Sequence, residues 1–552
     1  MEYLSGSQTN GMPMPPGVMA ITDIKAQKRA TRTLSKAVSL HLEGKLEAAG
    51  RLLSKAIEDG ERDIGLYAAL GHIQYEMHDF AAAARTYAAL SEIDPKHRNA
   101  SFNLGVCHGN LKQWGEAAAA FRAASDAVAP RPETMLGLGI ALIHAGRPAE
   151  ALTPLEKYLS LYPEHEQALF GQAVALQQTG KHAEAVEQYR KVLARNPRCE
   201  EVLCNLVAMF LDKQDHPSVR RYAEMLSEIQ PDSPTATEAL AALAFQDGDF
   251  AAAAQYCRTL AESAPDRFEH WFNLGVACHK MGSYENAAQA YRQAASLQPR
   301  SAQSHLNLGV AQQELNDLTG ARASYETVLT IDPGQSGALW NLALVLEQQG
   351  ERQWAEKLYA RINEDAPEWC DASFRLGYLR LLRGDYANSA EAFEACLMQR
   401  ADWPEAHLNA GIAYARTGDG ERARASFQEA LMLRPDSSDA VRGLAALALE
   451  HEDFDDAYQQ HRRLIELGEH SPELFYNAGL ICQKRGQTED AVTFYQQALG
   501  EDPQFAEALL NLGHALMSLG QEDDARSFWR RAIREKPELA QTYFDPPAAP
   551  VA

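Results

Sequence analysis

Residues 270–300 read HWFNLGVACHKMGSYENAAQAYRQAASLQPR, and residues 305–333 read HLNLGVAQQELNDLTGARASYETVLTIDP. The second phrase restates the first at a step of thirty-four residues. Asn273-Leu274-Gly275 returns as Asn307-Leu308-Gly309, and Ala287, Tyr291 and Pro299 return as Ala321, Tyr325 and Pro333. Self-similarity at a fixed period of this size marks a repeat architecture, in which each unit buries its apolar face only by stacking on its neighbours.

With the Gly of Asn-Leu-Gly set as position 8, the template extends in both directions. Units begin at residues 30, 64, 98, 132, 166, 200, 234, 268, 302, 336, 370, 404, 438, 472 and 506, about fifteen repeats with no insertion. Position 20 is Ala throughout except at Val219 and Ser389, and position 32 is Pro from Pro95 to Pro537 in most units. Gly44, Gly180, Gly248, Gly282, Gly350, Gly384, Gly418, Gly486 and Gly520 occupy position 15. Glycine there fits the left-handed residue that ends a helix, and Pro at 32 fits a second helix stop. Apolar residues at 4, 7, 8 and 11, then at 17, 20, 24 and 27, follow helical spacing. The unit is therefore two helices packed through small residues.

The pattern W-x-x-L-G, then A-x-x-x-Y, A and P, resembles the tetratricopeptide repeat (TPR) family, over about residues 30–539. The resemblance implies an all-α fold: a right-handed superhelical solenoid of about fifteen 34-residue helix-turn-helix repeats, its concave groove lined mainly by first helices. Three departures stand out. His461 replaces the aromatic at position 24, Glu469 replaces the Pro at 32, and Ser35–Ala37 lack the Leu-Gly. Looser packing is expected in repeats one and thirteen.

Residues 1–22, rich in Gly, Ser and Pro, read as a disordered tail without a secretory signal, 23–539 as the solenoid, and 540–552 as a Pro-rich tail. The last repeat needs a cover, and Tyr543 and Phe544 are the expected plugs. An uncovered end would favour a homo-oligomer.

The 552-residue chain carries a net charge of −23. That field repels nucleic acid and anionic lipid. The one basic cluster, Lys25, Lys28, Arg29, Arg32 and Lys36, reads as a solvated helix face. Apolar stretches such as Phe80–Ala84 are too short to insert in a membrane. Eight cysteines are scattered singly, without zinc-ligand spacing, which reads as reduced, buried thiols in a cytoplasmic protein. Cys107-His108 and Cys278-His279 lack a third ligand and read as packing residues. No phosphate loop, dinucleotide fingerprint, metalloprotease helix or nucleophile elbow appears in a convincing context, so no enzyme, metal or cofactor is expected.

Positions 2, 5, 6, 9, 12 and 13 of the first helix face away from the core positions. Position 6 is Asn in eight units: Asn103, Asn205, Asn273, Asn307, Asn341, Asn409, Asn477 and Asn511. Asn is a poor mid-helix residue, so its recurrence needs a reason. An amide offers a donor and an acceptor to a peptide unit, and a ladder of amides would hold an extended backbone. The repeat domain of the O-linked N-acetylglucosamine transferases resembles this in its recurring N-L-G, and the resemblance implies peptide held in that way. The alternative is that each Asn bonds a neighbouring helix. Position 5 beside it is apolar or aromatic, notably Phe102, Phe272, Trp340, Phe374 and Tyr476. These residues either bury a ligand's side chains or pack half-buried against an adjacent repeat. A basic clamp for acidic chaperone tails would need Lys at 5 and Asn at 9, and Val106, Val276, Val310, Leu344 and Ile412 stand at 9 instead.

The expected function is a non-enzymatic protein-interaction scaffold that takes extended, neutral or basic partner segments. The rivals are a self-assembling structural protein and a regulatory partner of a separately encoded glycosyltransferase.

Overall fold

The computed structural model describes residues 24–97, 99–126 and 131–541. Residues 1–23 and the expected plugs Tyr543 and Phe544 fall outside them, as do the side chains of Lys25 and Lys28. Thirty α-helices succeed one another among the described residues, from α1 (Ile24–Leu42) to α30 (Glu522–Glu535), with a closing 3-10 turn at Pro537–Gln541 and no strand. The chain divides into two compact units, residues 1–277 and 278–552.

Within each unit the same local rules form every helix pair. In the second unit, α17 (Ala302–Glu314), α18 (Leu318–Ile331) and α19 (Ser336–Gln348) are joined by short turns. The turn after α17 is a Schellman motif. The Asn316 amide donates to the Gln313 carbonyl at 2.9 Å and the Asp317 amide to the Gln312 carbonyl at 2.8 Å. Position 15 therefore has positive φ. Sequence reading located this turn by glycine, but the conformation extends further. Gly146 adopts it, and so do His78, Lys112, Gln214, Asn316 and Glu452, with φ between 55° and 60°. The hydrogen bonds of the turn override the preference of those side chains. Position 16 then caps the second helix. Asp79, Asp215, Asp249, Asp317, Asp419 and Asp453 each accept a backbone N–H of the first turn.

The core lies between the paired helices. Position 20 is fully buried, and Ser389, which replaces Ala there, donates its hydroxyl to the Gly377 carbonyl at 2.7 Å. In most repeats position 24 inserts a ring against position 8 of the preceding helix. A Cβ on Gly309 would lie 2.5 Å from the Tyr325 ring, which accounts for that glycine. His461, in the aromatic's place, is 5% exposed, and its Nδ1 lies 2.8 Å from the Ala457 carbonyl. Glu469, in the proline's place, pairs with Arg442 at 2.7 Å. At the C-terminal end, Leu539 of the 3-10 turn packs on the cluster that holds Trp529 and Ala532.

Candidate functional site

Position 6 has a partner that the sequence reading did not identify. In the first unit, α9 (Glu166–Gln178) and α10 (His182–Arg195) precede α11 (Glu200–Asp212). Asn205 on α11 donates its Nδ2–H to the Tyr189 hydroxyl at 3.1 Å, and that hydroxyl donates to Gln177 Oε1 at 2.7 Å. Tyr189 is position 24 of the preceding repeat and Gln177 is its position 12. A buried tyrosine hydroxyl needs such partners, because an unmade bond costs more than a made one gains.

The same link recurs. Asn103 stands against Tyr87, Asn307 against Tyr291 and Asn341 against Tyr325, each amide lowering a phenol that burial raises. The Tyr325 hydroxyl also lies 3.0 Å from Gln313 Oε1. Burial pushes each of these phenols well above the usual tyrosine value, so each stays a neutral donor. In one repeat the link is ionic: Arg375 takes position 6, Glu347 lies 3.5 Å from it, and Tyr359 donates to Glu347 at 3.0 Å. Where position 24 is Phe, position 6 is often Gly. A Cβ at Gly137 would meet Phe121 at 2.7 Å, and one at Gly443 would meet Phe427 at 2.5 Å. The packing of consecutive repeats therefore uses most of the position-6 amides. A sequence signal existed, since Tyr at 24 is followed sixteen residues later by a polar side chain.

The eight asparagines are not equally placed. Asn273 is exposed, and Asn511 is 5% exposed with its Nδ2–H on the Tyr476 hydroxyl at 2.9 Å. Asn103, Asn205, Asn307, Asn341, Asn409 and Asn477 are half-buried. Asn307 Oδ1 also accepts from Gln303 at 2.9 Å. Asn409 differs, because the residue sixteen before it is Phe393, which has no hydroxyl to satisfy.

Position 5 is half-buried at Phe102, Phe272, Trp340, Phe374 and Tyr476, whereas Phe170 and Leu510 are fully in the core. At Trp340 and Phe374 the ring meets position 24 edge-on and stacks on position 34 of its own repeat. Trp340 lies 5.4 Å from Tyr359 and 5.1 Å from Trp369, and Phe374 lies 5.6 Å from Phe393 and 4.3 Å from Trp403. Tyr476 sits 5.0 Å from Phe505, the Arg131 guanidinium lies 5.4 Å over Phe102, and Phe272 stacks on Phe268 at 5.5 Å.

Four of the buried cysteines are held as thiols. Burial pushes Cys107 and Cys396 up to about 12, and Cys199 and Cys482 up to about 11, so they stay protonated. Cys107 and Cys278 are buried, and His108 Nδ1 lies 2.7 Å from Gln113 Oε1. Among the described residues no helix is long and apolar enough to cross a membrane.

The repeated link belongs to helix pairs whose sequences match a known family. A tetratricopeptide repeat model matches residues 68–132, 109–166, 136–200, 217–268, 306–368 and 408–472. A second tetratricopeptide repeat model matches 483–542, and a TPR repeat model matches 275–316. The chain belongs to the tetratricopeptide repeat family. TPR arrays act as protein-interaction scaffolds, and this chain is a long one. No curated protein matches it. Among solved structures it is similar to YrrB, a TPR protein with an unusual peptide-binding site, at 20% identity over 34% of this chain and 97% of that one, TM-score 0.32. It is similar to a tetratricopeptide repeat protein from Parabacteroides merdae at 19% identity over 45% and 98%, TM-score 0.31. A third similar structure is Naa15/Naa10 bound to HypK-THB, at 13% identity over 93% and 96%, TM-score 0.34.

Proposed function

We propose that this TPR protein is a non-catalytic scaffold that holds an extended segment of a partner protein on its first helices. The stretch from Leu306 to Asn409 in the second unit is the favoured place. The observation that carries this reading is the pairing, in three of four successive repeats, of a half-exposed apolar residue with an amide. Leu306, Trp340 and Leu408 stand next to Asn307, Asn341 and Asn409. An amide has two N–H donors and an oxygen. Even where the amide serves the tyrosine of the repeat before, as Asn205 serves Tyr189, only one donor is used, which leaves capacity for a peptide group. Apolar surface beside such amides takes side chains while the amides take backbone. The net charge of −23 favours a neutral or basic segment.

Asn409 gives the cleanest test, because Asn409→Ala deprives no tyrosine of its partner. Selection of a phage-displayed random peptide library on the full chain is expected to enrich extended sequences. Their binding to Asn409→Ala and Leu408→Ala should weaken several-fold with the helical melt unchanged. Enriched peptides that bind both variants as tightly as the parent would place the groove elsewhere.

A further inference from the structure

The first two repeats hold a cluster that the scaffold function does not use. His41 lies in the last turn of α1 (Ile24–Leu42). His72 and Glu76 lie one turn apart on one face of α3 (Ile64–Glu76). His41 Nε2 is 2.7 Å from Glu76 Oε2, and His72 Nε2 is 3.2 Å from Glu76 Oε1. The two imidazole centroids are 5.9 Å apart, and one ligand atom from each of the three residues lies within 4.8 Å of the others. All three side chains are about one-third exposed. They fall at positions 12, 9 and 13 of their repeats, on the face away from the core. Position 9 is aliphatic in many other units, so His72 is not a core requirement.

We propose that His41, His72 and Glu76 form a zinc(II) site with water in the fourth position. Two imidazoles and one carboxylate, with an open position, are a donor set that suits Zn²⁺. Ligand atoms around tetrahedral zinc sit roughly 3.3 Å apart, given bonds of about 2.0–2.1 Å. The two nitrogen–oxygen spacings, 2.7 and 3.2 Å, both fall short of that distance, so the side chains rotate outward slightly to admit the ion. Without the ion, the carboxylate orients both Nε2 atoms toward one point. Binding exchanges those hydrogen bonds for two Nε2–Zn bonds and one carboxylate–Zn bond. Each neutral ring then carries its proton on Nδ1, and an imidazolium releases one proton to solvent. The ion would clip α1 to α3 and fasten the first repeat to the second. A sequence scan misses the site because thirty-five residues separate His41 from Glu76, a spacing set by the repeat and not by a local motif.

The test titrates the EDTA-treated full chain with ZnCl₂ by calorimetry and with Co²⁺ by visible absorption. The expected result is one Zn²⁺ per chain, an intense four-coordinate Co²⁺ spectrum, and slower amide exchange across α1 and α3 when zinc is present. The pair His41→Gln/His72→Gln should bind at least about tenfold more weakly and lose that spectrum. Melting in EDTA shows whether it folds, and Glu76→Gln serves if it does not. Superimposable titrations of parent and variants, or a Co²⁺ spectrum that survives them, would overturn the site.

Discussion

The tyrosine link makes the double-mutant cycle of Tyr189→Phe with Asn205→Ala the most informative perturbation of this array. Tyr189 is fully buried, donates to Gln177 Oε1 at 2.7 Å and accepts from Asn205 at 3.1 Å. Each neutral bond contributes about 0.5–1.5 kcal/mol net. Tyr189→Phe removes both, and its half-buried partners can turn to water, so a loss of about 1.5 kcal/mol is expected. Asn205→Ala removes one bond but gains about 0.5 kcal/mol of helix propensity, so it should cost roughly 0.5 kcal/mol. Once the hydroxyl is gone, Asn205→Ala loses no bond to tyrosine and only the propensity gain remains. The double variant should therefore be more stable than the sum of the singles by about 1 kcal/mol. Long arrays unfold in pieces, so the assay is native-state hydrogen exchange read on α10 and α11. The same change at Asn409, in register with Phe393, supplies the control and should be neutral or slightly stabilising. Additivity of the Tyr189 and Asn205 effects within about 0.3 kcal/mol would refute the link as a structural bond.

The ionic version should be convertible: Glu347→Gln or Arg375→Asn alone should cost about 1 kcal/mol, while the two together rebuild the neutral triplet and recover most of it, as read by the same exchange measurement. At position 15, Gln214→Gly and Glu452→Gly should each stabilise by about 0.5–1 kcal/mol, because φ there is 55° and 56°; a lowered melting temperature would contradict the strain. Burial holds the His461 imidazole below its ordinary value, as it does those of His97, His144, His165, His279 and His514. Below about pH 6.5 the unfolded chain takes up protons that these folded sites resist, so stability should fall as pH drops through 6.5, and His461→Phe should flatten part of that slope in melts from pH 7.5 to 5.

The helix pairs were legible because the period never slips and the small residues of the core keep their places. Ala at 20 and Gly at 8 report close helix approach directly. Position 15 was legible only where glycine occupies it, since at Lys112, Gln214 and Glu452 the geometry comes from the Schellman bonds and not from the side chain. The candidate site was legible as a list but not as an arrangement. Reading one repeat at a time, Asn at 6 looks unrelated to the core. Its partner lies sixteen residues earlier, across a unit boundary, and appears only when consecutive helices are packed. The same limit hid His41 from His72 and Glu76. The half-burial of position 5 was open in the sequence, because the side chain at position 34 that covers it varies between Trp369, Trp403, Phe505 and Arg131.

The position-6 link also bears on how such arrays are cut and rejoined. A segment copied from position 1 to position 34 carries Tyr and Gln but leaves behind the Asn that serves them. A segment taken from Leu308 to Asn341 has the same length and keeps Gln313, Tyr325 and Asn341 together. Duplication or grafting at that shifted frame moves a complete polar triplet into its new setting. Grafting at the conventional frame succeeds only where the recipient already supplies the amide, so the natural module of exchange in this protein is offset from the module of folding.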